Sequence, residues 1–231
     1  MNYPNTCPIL SKKEMENKAI QLLRKYDPLR LEKRRPWDVY DVIEKCLDVP
    51  YDWKYITPDQ SILGLTSFCT GTIWVWPEPY FNADTKPYKI LLQKGTILID
   101  STLTEGNNHG RENFTVIHEV FHQILHKPYF QNFDVCLGSQ SKELSILNTS
   151  YYITAAIPEQ QANYCAAAFL MPAELITRIL KQYYRLNNYL DFRNSYDRKI
   201  LLELAQAFGV TKTAMKYRLM NLGLAYQEYW F

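Results

Sequence analysis

The feature that most constrains this chain is His118-Glu119-Val120-Phe121-His122, set within a helical pattern running from Glu112 to His126. Histidines at i and i+4 stand about 6 Å apart on one helix face, so both imidazoles can reach a single tetrahedral ion. Glu119 lies about 100° round the helix from His118. There it can face an open coordination position, take a proton from water and pass it to a leaving amine. On a helical wheel Phe114, Ile117, Phe121, Ile124 and Leu125 share one arc, with Val116 and Val120 near the back. Thr115, His118, Glu119, His122 and His126 fill the remaining polar wedge. The pattern predicts a helix packed into a core, with its polar notch open on a cavity. The competing reading, surface or hydrogen-bonded core histidines, fits poorly with three of the four histidines of the chain lying within nine residues.

A catalytic zinc site has three protein ligands and an open position, so two histidines are too few. A third histidine ten residues after the first is excluded, because that position is Pro128. His126 continues the same face one turn further along and is expected beside the site. Glu159 is the better candidate. It opens a helix after Pro158 and shares a face with Asn163, Ala166, Ala167 and Leu170. Small alanines would let this helix approach the first one closely enough for a carboxylate to reach an ion at about 2 Å. Asn163 could accept a hydrogen bond from a ligand imidazole and fix its tautomer. Taken alone, Glu159 reads more readily as a first-turn glutamate complementing the helix dipole, since such glutamates are common.

Around this pair the chain reads as α+β. Helices are expected over 11–26, ending at Asp27-Pro28, and from Pro36 to Pro50. Thr72–Trp76, Tyr88–Leu92 and Thr96–Asp100 are strand candidates, with Lys94-Gly95 closing a hairpin between the last two. Thr72–Trp76 reads as a core strand more readily than as an aromatic wall of a groove. Thr96–Asp100 is a candidate edge strand for an extended peptide. Residues 127–157 look irregular, with a possible strand at Ser150–Thr154. The remainder is helical, with stops at Gly209 and Gly223. We expect a domain over 1–190 and a helical segment over 191–231.

With 26 basic and 24 acidic residues, net charge +2 gives no global reason to expect nucleic acid or an anionic membrane as partner. Residues 1–10 lack the apolar core of a signal peptide, and no run of 18 apolar residues follows. Five scattered cysteines without a CxxC suit reduced thiols. The expectation is a cytoplasmic protein.

The two site segments, read together, resemble the ImmA/IrrE family of metallopeptidases. The first runs Arg111-Glu-Asn-Phe-Thr-Val-Ile-His-Glu-Val-Phe-His-Gln-Ile-Leu-His126. The second runs Glu159-Gln-Gln-Ala-Asn-Tyr-Cys-Ala-Ala-Ala-Phe-Leu-Met-Pro172. A weaker match spans Leu204–Thr211 and Arg218–Gly223, and the resemblance covers roughly residues 36 to 224. It implies a zincin-like fold, with a small twisted sheet over two metal-bearing helices, N-terminal helices and a helical, helix-turn-helix-like appendage. It also implies His118, His122 and Glu159 as ligands and Glu119 as base. The implied substrate is a helix-turn-helix repressor, cut by an endopeptidase. Ligand type favours one Zn2+ over Mn2+ or Fe2+.

Leu201–Gly223 has helix-turn-helix spacing, with Lys212, Lys216 and Arg218 on or after its second helix. A DNA- or partner-binding regulator with a sensing or inactive metal site is therefore the alternative. Near-neutral charge favours a bracing or docking role over DNA contact. His109, His126, Tyr151 and Tyr152 are all candidates for the donor that stabilises an oxyanion.

Overall fold

The computed structural model describes residues 7–79, 85–106, 109–130, 136–138, 156–185 and 189–226. The possible strand at Ser150–Thr154 and the residues Tyr151 and Tyr152 lie outside them.

Helix α1 (Lys12–Tyr26) starts where expected, because Ser11 and Glu14 form a reciprocal capping box. Its buried stripe is Met15, Ala19, Leu22 and Leu23. The second helix begins later than Pro36. Asp38 caps α2 (Val39–Val42) by accepting from Asp41 N–H, and a π-helical turn continues to Leu47. The Pro36 carbonyl instead accepts from the Arg30 guanidinium.

The strands are β1 (Tyr51–Lys54), β2 (Gly64–Ser67), β3 (Gly71–Val75), β4 (Tyr88–Leu92), β5 (Ile97–Asp100) and β6 (Cys136–Gly138). They form a four-stranded sheet in the order β1-β5-β2-β6 and a separate β3–β4 pair. β5 runs parallel to β1 and antiparallel to β2. Two expectations about β5 therefore change. Lys94-Gly95 turns the chain, with Gly95 at φ +92, but it delivers β5 to a different sheet from β4. And β5 is interior, not an edge strand. Its burial explains both: Ile97 and Ile99 face the main core, while Leu98 joins Ile56, Leu65, Ile73, Val75 and Leu92 in a second core. A strand apolar on both faces needs cover on both, which an edge or a two-stranded ribbon does not provide. β3 is half core, with Ile73 and Val75 buried, whereas Trp74 faces out under the Lys89 ammonium at 4.9 Å.

Helices α3 (His109–Leu125) and α5 (Ala156–Leu170) form the centre of the molecule, with the short α4 (Lys127–Phe130) between them in sequence. α5 is packed between α1 and α3. Ala162, Cys165 and Ala166 are fully buried there, and their small side chains let the backbones come close. α6 (Ala173–Tyr183), α7 (Ser195–Phe208) and α8 (Lys212–Asn221) complete an α+β, zincin-like fold, and one buried cluster joins residues from α1 through α8.

The α7–α8 turn uses Gly209 at φ +62, and Thr211 caps α8. This turn is fastened to α3. The Asn113 amide donates to Gly209 O at 2.8 Å, the Trp37 indole donates to Phe208 O at 3.0 Å, and a Cβ at Gly110 would lie 2.7 Å from the Val210 carbonyl carbon. Arg218, grouped with Lys212 and Lys216 on the DNA-binding reading, is a core residue with 1% exposure. Its guanidinium donates to Met171 O at 3.0 Å and pairs with both Glu16 oxygens. The charge thus ties α8 to α1 and α5 and is not offered to a partner.

A guanidinium this deep depends on its carboxylate, and removing one member of such a pair leaves an uncompensated charge. Glu16→Ala should destabilise the fold by roughly 2–3 kcal/mol, somewhat less than the roughly 3–5 kcal/mol for a fully buried broken pair because Glu16 is partly exposed. Urea unfolding measures this, and an unchanged midpoint would contradict it.

Candidate metal centre

α3 is buried almost all round, polar wedge included: His118, Glu119, His122 and His126 are each 3% exposed or less. Polar side chains buried this thoroughly need partners. His118 and His122, one turn apart on α3, bring their Nε2 atoms to 2.9 Å. From the first turn of α5, Glu159 places Oε2 3.1 Å from His118 Nε2 and Oε1 3.3 Å from His122 Nε2. The donor atoms of these three residues all lie within 4.8 Å of one another, and theirs is the one such cluster among the described residues.

The Glu159 oxygens are close to both imidazoles but have no aligned hydrogen bond among the described residues. Lone pairs converging at these distances repel unless a cation lies among them. Two imidazole nitrogens and a carboxylate suit zinc and other first-row divalent ions, so the residues fit the group that the sequence implies. In an ion-free site a proton takes over part of that role. Burial opposes charging His118, but its contact with Glu159 and the charges of Glu119 and Glu159 outweigh burial and raise its pKa. Burial would raise the Glu159 pKa, yet its close contacts with the His118 and His122 imidazoles bring it down to about 2. Burial pushes His122 down to about 4 and His126 to about 3.

Glu119, the residue after His118 on α3, reaches towards β2. Thr66 donates its hydroxyl to Glu119 Oε2 at 2.7 Å, while Oε1 has no hydrogen-bond partner among the described residues. β2 passes so close that a Cβ on Gly64 would lie 2.6 Å from Glu119 Oε1 and 2.8 Å from Thr115 Cγ2. Only a glycine leaves room there for the carboxylate. Burial raises the Glu119 pKa to about 8, against the opposing effects of the His118 charge and the Thr66 hydroxyl. A carboxyl tuned near neutrality is suited to exchanging protons at physiological pH.

The expected contact of Asn163 is present: its Oδ1 lies 3.1 Å from His118 Nδ1. His126 is beside the cluster, against the outer nitrogen of His122 at 2.9 Å. His109 is at the opposite end of α3, exposed and 3.6 Å from Glu112. Thr66 and Gly64 carry no signal in the sequence, because Gly-Leu-Thr-Ser has too little β-pattern to announce a strand. Gln161 stood in the second quoted segment without a role. A cavity of about 960 Å³ opens beside His118, between the N-terminal residues Ile9 and Leu10, Phe114 of α3, Tyr164 of α5 and Tyr217 of α8.

Residues 73–220 match the family model Peptidase_M78, described as the IrrE N-terminal-like domain. The chain belongs to this metallopeptidase family. Its matched region contains both site helices and the α7–α8 pair, in keeping with the resemblance carried by the quoted segments. No curated protein matches the chain. No helix among the described residues is long and apolar enough to cross a membrane.

The shifted groups predict a sign for the pH dependence of the metal-free protein. The Glu119 pKa is raised from 4.5 to about 8, so its contribution to stability is intact below about 4.5 and is lost as pH rises through about 8. His122 and His126 are shifted downward from 6.5, so their opposing effect is complete above that pH. Between 6.5 and 8 the metal-free protein should lose stability as pH rises, and Glu119→Gln should reduce the slope. Thermal unfolding across this window measures both, and a slope unchanged by the substitution would contradict the assignment.

Proposed function

We propose that this chain is a zinc-dependent endopeptidase acting in the cytoplasm, with His118, His122 and Glu159 as metal ligands and Glu119 as general base. The observation that carries the proposal is the convergence of the three donor side chains beside a buried, half-satisfied carboxylate. When bound there, a divalent ion supplies Lewis-acid chemistry, lowering the pKa of a water and polarising the scissile carbonyl.

The remaining work falls to the side chains. Glu119 Oε1 has no donor among the described residues, so it can accept a proton from the attacking water. Its raised proton affinity allows it to hold that proton and then deliver it to the departing amine. Thr66 holds the other oxygen and fixes the carboxylate plane. The cavity beside His118 is large enough for substrate side chains next to the scissile bond, and its walls mix apolar side chains such as Leu10, Phe114 and Tyr164 with polar ones.

The proposed substrate is a helix-turn-helix repressor, a reading that rests on the family resemblance. A protease in the cytoplasm needs selectivity from contacts outside its cleft. α8 contributes Tyr217 and Thr213 to the cavity wall, so the C-terminal helices are suited to docking. A bound peptide must be extended to pair with a strand, which favours cleavage in a loop or a locally unfolded segment.

Members of the family this chain resembles commonly cleave a helix-turn-helix repressor encoded beside them, and co-expression with such a neighbouring repressor should yield two repressor fragments. Glu119→Gln keeps the size of the side chain and removes the base, so hydrolysis should fall at least about 100-fold while metal content stays. Cleavage by that variant near the wild-type rate would sink the base assignment. An intact repressor with metal-loaded enzyme, alongside free digestion of casein, would replace the regulatory reading with general proteolysis. A tight, sequence-selective gel shift at physiological salt would favour a DNA-binding regulator instead.

A further inference from the structure

A second line of buried side chains leads away from the donor cluster, starting on the outer edge of His122. His122 Nδ1 is 2.9 Å from His126 Nδ1, and His126 Nε2 is 3.2 Å from Gln161 Oε1. The Gln161 amide nitrogen donates to the Pro8 carbonyl at 2.7 Å. Both histidines are fully buried and Gln161 is 3% exposed, so the three hold one another rather than solvent.

The hydrogens on this line follow from its outer end. A backbone carbonyl only accepts, so Gln161 must turn its amide NH2 towards Pro8 and its oxygen inward. That oxygen also only accepts, so His126 must carry its hydrogen on Nε2. A neutral imidazole has one N–H, which leaves His126 Nδ1 bare and able to accept from His122 Nδ1–H. His122 then presents a bare Nε2 to His118 and Glu159. The reverse arrangement would require a doubly protonated His126 in a fully buried position, against His122 and Gln161, neither of them anionic.

We infer that His126 and Gln161 are positioning residues that lock His122 in its Nδ1–H tautomer and so keep Nε2 free for a metal ion. The inference rests on reading His118, His122 and Glu159 as a metal site. It gives the two histidine ligands different support. His118 leans on Asn163, an exposed side chain, whereas His122 is held by a buried relay anchored on the N-terminal segment. Partners of this kind orient a ligand imidazole and raise its basicity, and their loss weakens metal binding about 10- to 100-fold.

The test combines long-range 15N–1H correlation on the metal-free protein with Zn2+ affinity by chelator competition. The wild type should show hydrogen on His122 Nδ1 and on His126 Nε2. His126→Leu should weaken Zn2+ binding by about 10- to 100-fold. His126→Gln, which keeps an acceptor for His122 and a donor for Gln161, should restore most of the loss. Gln161→Met should weaken binding in the same direction, and it decides the matter if His126→Leu does not fold. The inference is overturned if His122 carries its hydrogen on Nε2, or if the foldable variants among His126→Leu and Gln161→Met bind Zn2+ as tightly as the wild type. It is also overturned if His126→Gln loses as much affinity as His126→Leu. Wild-type protein with the expected tautomers but no Zn2+ affinity would uphold the proton positions and overturn the metal reading instead.

Discussion

Glu159 can meet His118 and His122 only if the backbones of α3 and α5 run closer than two helices with ordinary core side chains would allow. Ala162 and Ala166, both fully buried, make that approach possible, and α1 holds α5 from the other side. The rest of the molecule is arranged around this contact. β5 closes the sheet side of the core with Ile97 and Ile99, and the α7–α8 turn is fastened to the start of α3 through Asn113 and Gly110. Arg218, buried against Glu16 and Met171 O, ties α8 back to α1 and the end of α5. A substitution that enlarged Ala162 or Ala166 would therefore act on the metal cluster through helix spacing, without touching a ligand.

The cluster is costly to the fold. Glu119 and three histidines lie buried within about two turns of chain, with the largely covered Glu159 against them, where charge is poorly solvated. Each is accommodated differently. Glu159 is countered by the imidazoles, His118 by Glu159 and Asn163, and His122 by His126 and Gln161. Glu119 has one oxygen on Thr66 and the other without a hydrogen-bond partner among the described residues. An orphaned buried carboxylate oxygen is a liability for stability and an asset for a proton acceptor, which is the compromise expected at an active site.

Much of this was legible in the residues themselves. The histidine spacing fixed one helix face, the capping pair Ser11 and Glu14 fixed the start of α1, and the glycines at 209 and 223 marked helix ends. The contact between Asn163 and His118 followed from the shared face of Glu159 and Asn163 once the two helices were taken to approach. Pairing between distant segments was much harder to read. Thr96–Asp100 has the composition of a strand, but nothing local says that β2 rather than β4 lies beside it. Thr66 and Gly64 are far from Glu119 in sequence, and only the sheet register brings them to it. Arg218 looked like a surface cation because its partner, Glu16, is on the first helix.

The central claim is that two imidazoles of α3 and one carboxylate of α5 form a single metal site. X-ray absorption at the zinc edge of the zinc-loaded protein, with metal content measured alongside, tests it most directly. The account predicts one zinc per chain, two imidazole nitrogens at about 2.0–2.1 Å, the remaining ligands oxygen at about 2.0–2.2 Å, and no sulfur at about 2.3 Å. A third imidazole, a thiolate ligand, or a protein that retains no stoichiometric metal would contradict it.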